Sequence, residues 1–260
     1  MNRKINVSIY NECQHEHEVD AVRAIYPQGI HGAIRGFLEK DGAIGTIRCA
    51  TLQDHRETLS QAVLDDTDVL VWWGHIKHHE VDDKVAAAVA GRVIDGMGLV
   101  VLHSGHGSKP FQLLLGTDTY NLRWREAGEK VRLWTIAKNH PISQGLGETF
   151  VVPHDETYGE PFGIPQPDEL IFLSWFQGGE VFRSGCTWRR GEGKIFYLQN
   201  GHETFPIYHQ REIQQIITNA VKWACPVARS CPRDRGGPNA AALEAYTLED
   251  GGGFTPVTRG

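Results

Sequence analysis

Three apolar runs in this chain end in histidine: Asp68-Val-Leu-Val-Trp-Trp-Gly-His75, Gly98-Leu-Val-Val-Leu-His103 and Lys194-Ile-Phe-Tyr-Leu-Gln-Asn-Gly-His202. Runs this short and this continuously apolar read as strands buried on both faces, the sequence signature of a parallel sheet. Ligands of an open α/β sheet bind beyond the carboxyl ends of its strands, so three imidazoles placed there can converge on one crevice. An imidazole binds a metal as the neutral ring or moves a proton near neutral pH. The pattern therefore predicts an α/β protein with a reactive site at its strand ends.

The rest of the chain fits such a sheet. Ile5 to Tyr10 and Ile44 to Ala50 read as further strands. Helical spacing appears over His17 to Tyr26, Ile30 to Glu39, the short stretch around Leu59 to Leu64, and Glu80 to Ile94, where Val81, Val85, Val89 and Val93 share a face. Asp95-Gly-Met-Gly98 ends that helix with glycine available for a left-handed cap. Strands alternating with helices imply a parallel sheet with right-handed crossovers. After Gly116 the pattern changes. Leu122 to Glu129 and Leu133 to Lys138 are mixed. Phe150 to Pro153, Leu170 to Leu173, Glu180 to Arg183 and Lys194 to Leu198 read as short strands with glycine turns between them. A last helix runs from about Gln210 to Trp223. The expected division is one α/β domain over 1–226 and a C-terminal tail or arm over 227–260, rich in glycine and proline.

Composition excludes several classes. A net charge of -6 gives no basic footprint for nucleic acid. No apolar run nears the ~20 residues needed to cross a bilayer, and the N-terminal segment reads as a strand, not a signal peptide. Five cysteines without regular spacing argue against a disulfide framework and for a reducing, cytoplasmic compartment.

Five motifs carry chemistry. Asn11-Glu12, with His15 and Glu16 behind, follows the first strand; Glu12 can act as a base or ligand, or these residues can simply cap a helix. His75 follows a strand and a glycine, whereas His78 and His79 read as a solvent-facing helix start. Leu102-His103-Ser104-Gly-His106-Gly has the layout of a nucleophile elbow, with His103 as the presented side chain. His154-Asp-Glu156-Thr-Tyr158 places alternate residues on one face if extended, or is a solvated loop. Asn200-Gly-His202-Glu203 closes the set. Metal-ligand candidates are His75, His103 and His202. Candidate catalytic groups are His103, His202, Glu12, Glu156 and Tyr158. Candidate substrate contacts are Asn11, Ser104, His106, His154 and Glu203. No dinucleotide fingerprint follows a strand, which argues against NAD.

Together these segments, with Trp124-Arg-Glu-Ala-Gly-Glu129, Tyr158-Gly-Glu160 and Gly179-Glu-Val-Phe-Arg-Ser-Gly185, resemble the ThuA-like, or trehalose-utilisation, family over about residues 3–224. The resemblance implies a class I glutamine amidotransferase-like fold: a three-layer α/β architecture, mostly parallel, with a flavodoxin-like core and helices on both faces. It also implies a link to trehalose or related disaccharides. Where amidotransferases place Cys-x-Gly-His at the elbow, this chain has His103-Ser-Gly-His106, so the thioester route of a glutaminase is closed.

The leading expectation is an enzyme acting on a sugar or keto-sugar as hydrolase, isomerase or lyase. His75, His103 and His202 would hold a divalent metal, zinc suiting a nitrogen-rich open site. A non-catalytic sugar-binding or regulatory module is the alternative, and so is a partner subunit of a sugar dehydrogenase. The tail suggests a homo-oligomer.

Overall fold

The computed structural model describes residues 3–228. The expected C-terminal arm therefore lies outside the described residues, apart from its first two. The strands are β1 (Ile5–Asn11), β2 (Ile44–Thr51), β3 (Val69–Trp73), β4 (Gly98–Leu102), β5 (Arg123–Thr135), β6 (Thr149–Gly159), β7 (Glu169–Phe176), β8 (Val181–Arg190) and β9 (Gly193–Leu198). The helices are α1 (Gln14–Glu18), α2 (Asp20–Ile25), α3 (Gly29–Leu38), α4 (His55–Thr58), α5 (Gln61–Asp65), α6 (Asp83–Ile94), α7 (Lys109–Leu115) and α8 (Arg211–Ala224). No helix among the described residues is long and apolar enough to cross a membrane.

All nine strands form one sheet in the order β2-β1-β3-β4-β9-β8-β7-β5-β6. The first five of these pair in parallel and the remaining pairings are antiparallel. The sheet is thus mixed, with the parallel half in the 2-1-3-4-5 order of one doubly wound topology. Every residue of β3 and β4 is buried, as their unbroken apolar runs predict. Helix α3 packs on β1 and β2, and α8 on β4 and β9; α6 packs against α5 and α7.

Several boundaries differ from expectation. The helix expected over His17 to Tyr26 is two pieces, broken at Val19, whose backbone is extended (φ -119°, ψ 109°). The Arg23 guanidinium caps the break by donating to the Glu16 and His17 carbonyls. Helix α6 starts at Asp83 because the Asp82 side chain caps it, accepting from Lys84 N–H at 2.8 Å. The mixed stretches 122–129 and 133–138 fall largely within the one long strand β5, and β6 runs on through Gly159, so the His154–Tyr158 motif is strand and not loop. Pro153 is tolerated there because β6 is the sheet edge.

Close approaches fix some glycines. A Cβ at Gly193, where β9 begins, would lie 2.0 Å from the Val93 carbonyl oxygen at the end of α6. Backbone of this kind cannot swing aside. Gly193→Ala is expected to destabilise by about 1–3 kcal/mol and so to lower Tm by several degrees, at about 2–4 °C per kcal/mol for a domain of this size. An unchanged thermal melt would contradict that packing.

Candidate functional site

The cleft lies beyond the ends of β1, β3, β4 and β9, where the parallel half meets the antiparallel half. Each histidine is presented differently. The loop after β3 carries His75 and is clamped by Glu12, whose carboxylate accepts from the N–H groups of His75 (2.8 Å), Ile76 (3.1 Å) and Lys77 (2.9 Å). His103 follows β4 with φ 51°, a left-handed conformation uncommon outside glycine. This is the elbow geometry, and it sets the ring against those of His75, Tyr158 and His202. His202 follows Gly201 (φ 146°), where a Cβ would lie 2.0 Å from the Tyr208 hydroxyl and 3.3 Å from His103 Cβ. Only glycine lets the two turns approach. Glu156 arrives from β6.

The rings meet. Centroids lie 5.8 Å apart for His75 and His103, and 5.3 Å for His202 with each of the other two. One ligand-type atom from each of His75, His103, His202 and Glu156 falls within a common 4.8 Å. The outer ring nitrogens are already engaged. His103 Nδ1 lies 2.9 Å from the Gln199 carbonyl oxygen, His75 Nδ1 lies 3.0 Å from Glu203 Oε1, and His202 Nδ1 lies 2.8 Å from the Thr204 hydroxyl. A carbonyl or carboxylate can only accept, so His75 and His103 each carry a proton on Nδ1. At His202 the Thr204 N–H also approaches Nδ1, at 3.3 Å. That N–H can only donate, so Nδ1 accepts from it and from the rotatable hydroxyl, and the His202 proton sits on Nε2. His103 Nε2 and Glu156 Oε2 lie 3.1 Å apart without hydrogen-bond geometry; those two atoms and His202 Nε2 are buried and unpartnered.

Electrostatics follow from burial. Burial alone would lower His103, but the adjoining Glu156 carboxylate outweighs it and pushes the ring up to about 9. Burial and the His103 charge bring His202 down to about 4. Glu203 resists its burial because His15 and His75 both approach Oε1, at 2.9 and 3.0 Å, and hold it well below the usual carboxylate range. Burial pushes Asp155 up to about 6, although it accepts from Asn200 at 2.8 Å.

The cleft holds about 550 Å³. Of the expected residues, His75, His202, Glu156, Tyr158, Ser104, His106 and Glu203 line it; His103 does not, and lies fully buried behind them against the rings of His75, Tyr158 and His202. The Ser104 and Tyr158 hydroxyls bond each other at 2.8 Å. Three candidates lie elsewhere. Glu12 spends its carboxylate on the loop clamp. Asn11 holds the turn after β1, accepting from Cys13 N–H at 3.1 Å and donating to Glu16 at 2.6 Å. His154 is exposed, with Nδ1 3.0 Å from the Gly128 carbonyl.

Sequence reasoning missed three groups. His15 lines the cleft with Glu203. Glu126 enters from β5, which was not legible as a strand. His78, expected at the surface, is 5% exposed. Burial and the nearby His75 bring it down to about 4 from an ordinary 6.5. The unfolded chain then binds more protons than the fold between those values, so stability is full above pH 6.5 and falls as pH drops to about 4. That interval corresponds to on the order of 3 kcal/mol. Denaturation of metal-free protein across pH 4–7 should show His78→Gln losing less stability in acid than the wild type. Equal acid sensitivity would contradict a buried neutral ring.

The family model for trehalose utilisation (ThuA) matches residues 6–224. No curated protein matches the sequence. Among solved structures, the chain is similar to a ThuA-like protein from Parabacteroides merdae ATCC 43184, with 15% identity, a TM-score of 0.63, and coverage of 86% of this chain and 90% of that one. It is similar to another from Bacteroides uniformis ATCC 8492, with 16% identity, a TM-score of 0.60, and coverage of 86% and 93%. A cytoplasmic protein of Salmonella typhimurium LT2 shares 11% identity at a TM-score of 0.57, over 85% of this chain and 99% of that one. At such identities the likeness speaks for the fold alone, whereas the family match spans most of the sequence: the chain belongs to the ThuA, trehalose-utilisation family.

Proposed function

We propose that this protein is a metal-assisted enzyme acting on a sugar or keto-sugar, with His75, His103, His202 and Glu156 holding one divalent cation, zinc by its preference for nitrogen. One observation carries the reading. Each of the three imidazoles has its Nδ1 hydrogen-bonded, and one ring nitrogen from each lies within 4.8 Å of the others and of a Glu156 oxygen. Outer-shell hydrogen bonds of this kind orient metal-bound histidines and fix their tautomer. Zinc sits about 2.0–2.2 Å from nitrogen and oxygen ligands, and the four candidate atoms lie within 4.8 Å of one another.

The chemistry such an ion supplies is polarisation of a carbonyl or activation of water. The chain's own groups would do the rest. Tyr158 and Ser104, bonded to each other, present hydroxyls to a ligand. His106, brought down to about 3 by burial, remains a neutral ring. The sugar class follows from the family description, trehalose utilisation.

We read the two helix groups, α3 with α8 and α5 to α7, as the outer layers of a three-layer architecture of the class I glutamine amidotransferase type. Glutaminase chemistry is not part of the reading. The elbow presents His103, and burial pushes the Cys13 and Cys186 thiols up to about 12, where they carry no thiolate.

The test is metal content with a chelator competition. His103→Ala and His202→Ala should each lower bound zinc and weaken its affinity by at least tenfold, with far-UV circular dichroism unchanged. Full stoichiometric metal in both folded variants would sink the metal reading. Metal with tight sugar binding but no turnover of any sugar would favour a binding module.

A further inference from the structure

Three carboxylates around the cleft are already committed. Glu12 holds three backbone N–H groups, Glu203 lies against His15 and His75, and Glu156 belongs to the proposed ion cluster. Glu126 is different. Its side chain is 57% exposed, it lines the cleft, and its Oε1 stands 3.9 Å from His202 Nε2, beyond hydrogen-bond range. It faces the space over the cluster with no partner within bonding distance among the described residues.

The neighbours of Glu126 are ordered by the strand. Leu122, Trp124 and Glu126 all line the cleft, as alternate residues of an extended chain should. Trp124 pairs across the ladder with Tyr158 of β6, and directly opposed residues share a face. Glu156 lies two residues before Tyr158 on the same strand. The ladder breaks after Arg125 and resumes at Glu129, so Glu126 sits in a stretch released from regular pairing. Trp124 is 64% exposed at the mouth of the cleft. A large aromatic face next to a polar floor suits a sugar ring, whose C–H face is apolar and whose edge carries hydroxyls.

Resting on the ion reading above, we propose that Glu126 is the proton acceptor of the site and Trp124 the platform for the sugar ring, and that the substrate is a keto-sugar deprotonated at the carbon next to its carbonyl. Hydrolysis of a glycosidic bond by the usual route needs two available carboxyl groups flanking that bond. With Glu156 and Glu203 committed, the cleft offers one, which matches a single-base reaction beside a polarised carbonyl. In the step, the C–H bond breaks and its proton passes to the Glu126 carboxylate. The electron pair forms a C=C bond, and the carbonyl π pair moves onto oxygen. Return of that proton to the former carbonyl carbon restores the carboxylate; the proton of the hydroxyl on the deprotonated carbon passes to the former carbonyl oxygen, a new carbonyl forms on the deprotonated carbon, and the product is an isomer, with no oxidant or reductant required.

Solvent exchange tests this. Zinc-loaded protein in D2O is incubated with D-fructose and with trehalose oxidised to a ketone at one ring carbon, with intact trehalose as control; deuterium on carbon is followed by NMR. The keto-sugars should take up deuterium and intact trehalose should not. Glu126→Gln should keep wild-type zinc and slow exchange by about 10²–10⁴-fold, the usual weight of a positioned base. Trp124→Ala should keep zinc and raise KM with kcat nearly unchanged, the mark of a binding platform. Wild-type exchange in Glu126→Gln, loss of zinc in that variant, or no exchange by zinc-loaded wild type would overturn the acceptor assignment. An unchanged KM in Trp124→Ala would overturn the platform. Glu126-dependent exchange in a protein that binds no metal would sink the ion reading and leave the acceptor standing.

Discussion

Buried carboxylates set the terms at the strand ends. Glu12, Asp155, Glu156 and Glu203 are each 3% exposed or less, and an isolated buried charge costs far more than a fold can absorb. Three of them have visible compensation. Glu12 is met by three N–H groups, Glu203 by two imidazoles, and Asp155 by amide donors and a raised affinity for a proton. Glu156 has His103 and little else, and its Oε2 lacks a hydrogen bond. A cation among Glu156 and the three imidazoles would balance that carboxylate and give the unpartnered atoms of Glu156, His103 and His202 a ligand.

The two halves of the sheet contribute unlike things. The parallel half supplies the imidazoles, because each of β3, β4 and β9 delivers a residue at its carboxyl end. The antiparallel half supplies what stands above them: Glu156 and Tyr158 from β6, Trp124 and Glu126 from the start of β5. Neither half has a complete cleft without the other. The left-handed backbone at His103 and the glycine at 201 are the local devices that let the turns after β4 and β9 approach each other within the parallel half.

How much was legible follows from the kind of signal each element emits. Strands β3, β4 and β9 announce themselves because full burial makes them continuously apolar, and a histidine after such a run must lie at a strand end. The elbow was readable from small residues around one reactive side chain. Strand β5 was not, because one face is solvated and its ladder is interrupted between Arg125 and Glu129, so neither a run nor a clean alternation appears. Glu126 was lost with it. The extension of β6 hid behind Pro153 and a cluster of polar residues that read equally as loop. Glu12 read as a base, a ligand or a helix cap, and only the folded structure shows its oxygens accepting from the 75–77 backbone instead. His15 and His78 depend on packing between segments distant in sequence, which local spacing does not encode.

The most direct measurement is X-ray absorption at the zinc edge on protein purified without tag or chelator. The account predicts about one zinc per chain, with nitrogen and oxygen neighbours at about 2.0–2.2 Å and the outer-shell scattering of three imidazoles. No bound zinc after loading, a sulfur shell, or a spectrum without histidine scattering would contradict it.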